Sequence, residues 1–74
     1  MSRLPRLSGR EAASAFQKLG YQLRRMEGSH MIYKAPGRRP LSIPDHKELD
    51  RGTLRAIIRQ SGLSVDEFVK LLQS

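Results

Sequence analysis

The sequence predicts an α+β fold ordered helix, three antiparallel strands, helix, helix, with the helices on one face of the sheet. Three observations predict it. Apolar residues recur at helical spacing near both ends of the chain. The middle holds short apolar and β-branched runs broken by Gly and Pro clusters. The connections between those runs are only a few residues long, too short for a crossover, so adjacent strands must run antiparallel.

The first helix begins at "SGREAASAFQKLG". Ser8 with Glu11 three residues later is a capping-box pattern. Ala12, Ala15, Phe16 and Leu19 form one apolar stripe, and Gly20 stands where a left-handed residue after the helix is wanted. The strands are "YQLRRM", "HMIYKA" and "LSI", turned by "EGS" and "PGRRP". In the first, Tyr21, Leu23 and Arg25 alternate with Gln22, Arg24 and Met26. In the second, His30, Ile32 and Lys34 share one face and Met31 and Tyr33 the other, with Met31 and Tyr33 expected inward. Leu41 and Ile43 are expected to face the core from the third.

"LDRGTLRAIIRQSGLSVDEFVKLLQ" reads as two helices. Asp50 is placed to cap the first, with Leu49 and Leu54 as a hydrophobic staple. Leu54, Ile57 and Ile58 form its inner face, and Gly62 ends it. Ser64 and Glu67 make a second capping box, flanked by Leu63 and Phe68, and Phe68, Leu71 and Leu72 complete the last stripe. With no repeat, linker or low-complexity tract, residues 1–74 are expected to form one domain.

A chain of 74 residues buries only about 60 % of its unfolded surface. It has no room for a deep substrate cavity together with a cofactor fold. Cysteine is absent, so neither disulfides nor thiolate metal sites are available. The basic start "MSRLPRLSGR" is followed by no apolar run, and no stretch approaches the roughly 20 apolar residues that span a bilayer. A cytoplasmic protein without membrane association is expected.

The charge is lopsided. Residues 1–47 carry ten Lys/Arg and three Asp/Glu, a net of +7, whereas residues 48–74 carry four of each. That asymmetry points to a polyanion, most simply nucleic acid; a solvated basic surface or a face for an acidic protein is the plainer alternative. The helices of so small a chain cover one sheet face and leave the other open. This is the architecture of a double-stranded-RNA-binding domain with a short extra helix, which reads A-form RNA by shape and backbone.

His30, at the mouth of the second strand, is the leading candidate for chemistry. Imidazole accepts and returns a proton near neutral pH. Gly28 permits a close backbone approach, and Ser29 adds a hydroxyl and an N–H for a phosphate oxygen. Lys34, Arg38 and Arg39, one hairpin away, are placed to clamp a phosphodiester. The set suits RNA cleavage by the RNA's own 2′-hydroxyl. A histidine at a strand start is also a commonplace polar residue. His46, with Lys47 beside it, follows the third strand. It is read as an RNA contact, a second proton carrier or an ordinary loop residue. Asp45, His46, Glu48 and Asp50 are not expected to form a metal site, because acids before a helix N-terminus are favoured there anyway. With two Tyr and no Trp, stacking on exposed aromatics is a poor basis for single-strand binding.

Taken together, "LPRLSGREAASAFQKLGY", "GSHMIYK" and "IPDHKELDRGTLRAIIRQSGLSVDEF" resemble the HicA toxin family, small ribonucleases of bacterial toxin–antitoxin pairs. The likeness covers nearly the whole chain. It implies a double-stranded-RNA-binding fold and metal-independent cleavage of messenger RNA with no cofactor. It also implies silencing by a HicB-type antitoxin, the chain being monomeric when free and hetero-oligomeric with that partner. By position, the family's Gly-Ser-His motif falls on Gly28, Ser29 and His30, with His30 catalytic, and His46 matches its second histidine segment. The competing expectation is a non-catalytic RNA-binding module of the same fold, which has no need of His30 after Gly-Ser. A third is a small interaction protein whose basic face meets an acidic partner.

Overall fold

The computed structural model describes residues 3–74; Met1 and Ser2 lie outside the described residues. Its elements are α1 (Gly9–Gln17), β1 (Gln22–Glu27), β2 (His30–Lys34), β3 (Leu41–Pro44), α2 (Arg51–Ser61) and α3 (Val65–Gln73). The strands form one antiparallel sheet in the order β1-β2-β3. The α+β architecture is the one the sequence predicts.

Both capping boxes form. Ser8 Oγ accepts from the Glu11 N–H at 3.0 Å while Glu11 Oε1 accepts from the Ser8 N–H at 2.9 Å. Ser64 and Glu67 repeat the exchange at 3.1 and 2.8 Å. Each box satisfies two of the donors that a helix start leaves orphaned. Asp50 differs from expectation. It occupies the N-cap position of α2, but its side chain makes no capping bond. The entry is held by burial of Leu49 and Leu54 instead. Helix α1 also ends sooner than its apolar stripe. Lys18, Leu19 and Gly20 form a turn whose N–H groups reach back three residues, and Gly20 takes a φ of +97°.

The core lies between the helices and the inward face of the sheet. Phe16 is at its centre, edge-on to Tyr21 at 5.9 Å and tilted against Phe68 at 5.0 Å between ring centroids. Full burial of an aromatic of this size stabilises by about 1.5–3 kcal/mol. Met31, Tyr33, Leu41 and Ile43 point inward, as expected. The Tyr21 hydroxyl donates to the Arg39 carbonyl at 2.8 Å, and burial pushes its pKa up.

Strand β1 departs from simple alternation. The register slips between Leu23 and Arg25, so Arg24 is an extra, bulged residue. Leu23 then pairs with Tyr33 and Met26 with Met31, which puts both on the helix-facing side, while Arg25 pairs with Ile32 on the open side. Unbroken alternation would have reversed Arg25 and Met26. Leu23 and Met26 are the two large hydrophobic residues left exposed among the described residues, in a depression beside Arg10, Ser14 and Gln17 of α1.

Candidate functional site

Gly28 and Ser29 form a two-residue hairpin turn between Glu27 and His30, which pair across the ladder. Gly28 has φ +61° and Ser29 a negative φ. That is the sign pattern of a II′ turn, whose first position is Gly because φ there must be positive. The turn matches the twist of the flanking strands and fixes His30 as the first residue of β2, exposed and on the open face. On that face His30 pairs with Pro44 and Ile32 with Ser42.

The segment after β3 is laced to the same end of the sheet. The Asp45 N–H donates to the Ser29 carbonyl at 2.8 Å, continuing the ladder past Pro44. The Gly9 N–H donates to the His46 carbonyl at 2.9 Å, and the Leu49 N–H to the Leu7 carbonyl at 2.7 Å. Arg10 clamps Asp45 with both fork positions, Nε to Oδ1 at 3.1 Å and Nη2 to Oδ2 at 3.2 Å. The backbone segments of Gly28, Ser29, His30, His46 and Lys47 therefore lie at one end of the sheet.

The basic residues assigned to the clamp do not all join them. Lys34 is the last residue of β2, about 13 Å along the strand from His30 at roughly 3.3 Å per residue. Arg38 and Arg39 lie in the turn beyond it, at the opposite end of the sheet. Arg38 Nη1 donates to the Ser61 carbonyl at 3.3 Å, where a cation also complements the helix C-terminus. Among the described residues the Arg39 side chain has no partner. Arg25, on the open face, is occupied by Glu27 at 2.6 Å.

Packing of α2 beside β3 builds something the sequence did not disclose. A groove opens between the two elements, with His30, Ser42 and Pro44 on the sheet side and Thr53, Ala56, Ile57, Arg59 and Gln60 on the helix side. Positions 53, 56, 57 and 60 are one helical stripe. The signal was present as that spacing, but nothing local says that the stripe meets the open face of the sheet. Among the described residues no three His, Asp or Glu side chains converge to hold a metal ion. All four aromatic residues are buried. No described helix is long and apolar enough to cross a membrane.

An antiparallel three-stranded sheet, helices on one face and an exposed histidine on the other, defines a domain of the double-stranded-RNA-binding type. A family model described as the HicA toxin of bacterial toxin–antitoxin matches residues 9–63. A chain in a structure described as a toxin–antitoxin complex from Streptococcus pneumoniae is 33% identical. It superposes with a TM-score of 0.69, covering 77% of this chain and 98% of that one. Comparison with curated protein sequences gave no match. The chain belongs to the HicA toxin family.

Proposed function

We propose that this chain is a metal-independent endoribonuclease, the toxin of a type II toxin–antitoxin pair. It acts on messenger RNA in the cytoplasm and is silenced by a HicB-type antitoxin. The observation that carries the reading is the placement of His30: exposed on the open sheet face, held by a rigid Gly-Ser hairpin, and bordering a groove.

In the proposed reaction His30 takes the proton of a ribose 2′-hydroxyl. The 2′-oxygen attacks the adjacent phosphorus, the bond to the 5′-oxygen breaks, and that oxygen takes up a proton as it leaves. The products are a 2′,3′-cyclic phosphate and a 5′-hydroxyl. Developing charge on the phosphorane calls for donors nearby. The Ser29 hydroxyl, His46 and Lys47 stand at the right end of the sheet to supply them. Arg38 and Arg39 are too remote for that and grip the substrate elsewhere. Family membership supports the activity class, and the toxin–antitoxin neighbour supports an inhibitory protein partner.

The test is cleavage of messenger RNA by the purified chain in excess EDTA. The 5′ fragments should end in cyclic or 3′-phosphate. Activity that disappears on chelation and returns with Mg²⁺ would contradict the mechanism and revive the acids from Asp45 to Asp50.

A further inference from the structure

We infer that one RNA strand runs from His30 along the β3–α2 groove to Arg38 and Arg39, with Arg59 and Gln60 as the residues that carry it between the two ends; the inference rests on the ribonuclease reading above. Two surface depressions are involved. The first contains His30 and, on α2, Arg59 and Gln60. The second contains Arg38 and Arg39 and, again, Arg59 and Gln60. The shared pair makes the two a continuous surface.

The geometry is consistent along its length. Helix α2 starts at the His30 end, after the Pro44–Asp50 segment, and finishes at Ser61, whose carbonyl binds Arg38. It therefore runs antiparallel to β3 and spans about 15 Å at 1.5 Å per residue. That matches the roughly 13 Å of strand between His30 and Lys34.

The chemistry selects the occupant. Arginines 38, 39 and 59 supply positive charge at one end, and exposed Ser42 and Gln60 supply neutral donors. With Phe16, Tyr21, Tyr33 and Phe68 all buried, the surface offers no Phe or Tyr platform for stacked bases. The arginine end is suited to a phosphate backbone, a contact that positions a strand without reading its sequence.

Binding should be measured with fully 2′-O-methylated RNA of graded length, which cannot be cut. Affinity for the intact chain should rise until a strand reaches from His30 to the arginine turn, then level off. Arg59→Gln should lower the salt slope by about 0.7, the value for one phosphate contact on a single strand. It should also cancel the gain from length. Gln60→Glu should do the same by repulsion. Arg55→Gln, on α2 but outside the groove, should change neither. In cleavage, Arg59→Gln should raise KM for long RNA more than Arg55→Gln does. A parent chain that binds no RNA would overturn the ribonuclease reading itself. A parent chain that binds and cuts RNA with its length dependence and salt slope unmoved by Arg59→Gln and Gln60→Glu would overturn the track alone.

Discussion

Gly9 lies against the backbone of Pro44 so closely that a Cβ at position 9 would collide with the Pro44 carbonyl oxygen. The first residue of α1 and the last residue of β3 are thus in direct backbone contact. The contact sits one residue from the Asp45–Ser29 bond that extends the ladder.

Gly9→Ala must push α1 and β3 apart. We expect a loss of about 1–3 kcal/mol, the usual cost of overpacking. Gly52→Ala, with nothing within 4 Å of the added methyl, should be neutral or stabilising. Denaturant melts of the two variants decide it. Equal stability of Gly9→Ala and the parent would show that the approach is looser than described.

Arg38 and Arg39 are adjacent in sequence and unequal in structure. Arg38→Ala removes the bond to the Ser61 carbonyl and should cost about 1 kcal/mol. Arg39→Ala removes no described contact and should stay within about 0.5 kcal/mol of the parent. Thermal denaturation separates them. Identical melting of the two single variants would remove Arg38's structural role.

Tyr21→Phe deletes the donor to the Arg39 carbonyl and should cost about 1 kcal/mol. It should also alter the alkaline limb of stability. Burial raises the Tyr21 pKa, so the folded state favours the protonated phenol. That contribution is complete below about pH 10 and is lost as pH rises through the folded value. Tyr33, raised by burial as well, remains in both proteins. The difference between parent and variant should therefore shrink at high pH. A difference constant from neutral to strongly alkaline pH would contradict this.

The parts of the fold legible in the sequence are those decided within a few residues. Ser8 with Glu11, and Ser64 with Glu67, form their boxes because cap and donor lie in the same turn. Met31 and Tyr33 were separable from His30 by a strand's period of two. What the sequence hid depends on pairing between elements. The bulge at Arg24 exists only as a register slip against β2, and it reverses the faces of Arg25 and Met26. Similarly, His30 and Arg38 are near in sequence, yet a strand separates them in space. The residues that link them, Arg59 and Gln60, come from a helix that packs on β3 more than twenty residues later.

Control of the proposed ribonuclease should act where the site is accessible. The inner faces of the helices are committed to the core, which leaves the open sheet face, the His30 turn and the outer side of α2 for a protein inhibitor. A HicB-type antitoxin lying there should compete with RNA for the same positive charge. Hydrogen exchange of the complex should show protection across residues 28–39. Protection confined to α3, Val65–Gln73, with His30 still open to a small alkylating reagent, would mean inhibition from a distance.

The central claim is that His30 performs the proton transfer, and the most direct measurement is RNA cleavage by purified His30→Ala beside the parent. His30 is exposed, so the variant should melt like the parent and still bind 2′-O-methylated RNA. Its cleavage rate should fall by about a hundredfold or more, the usual contribution of a general acid–base. A folded His30→Ala protein that cuts RNA at the parent rate would contradict the account.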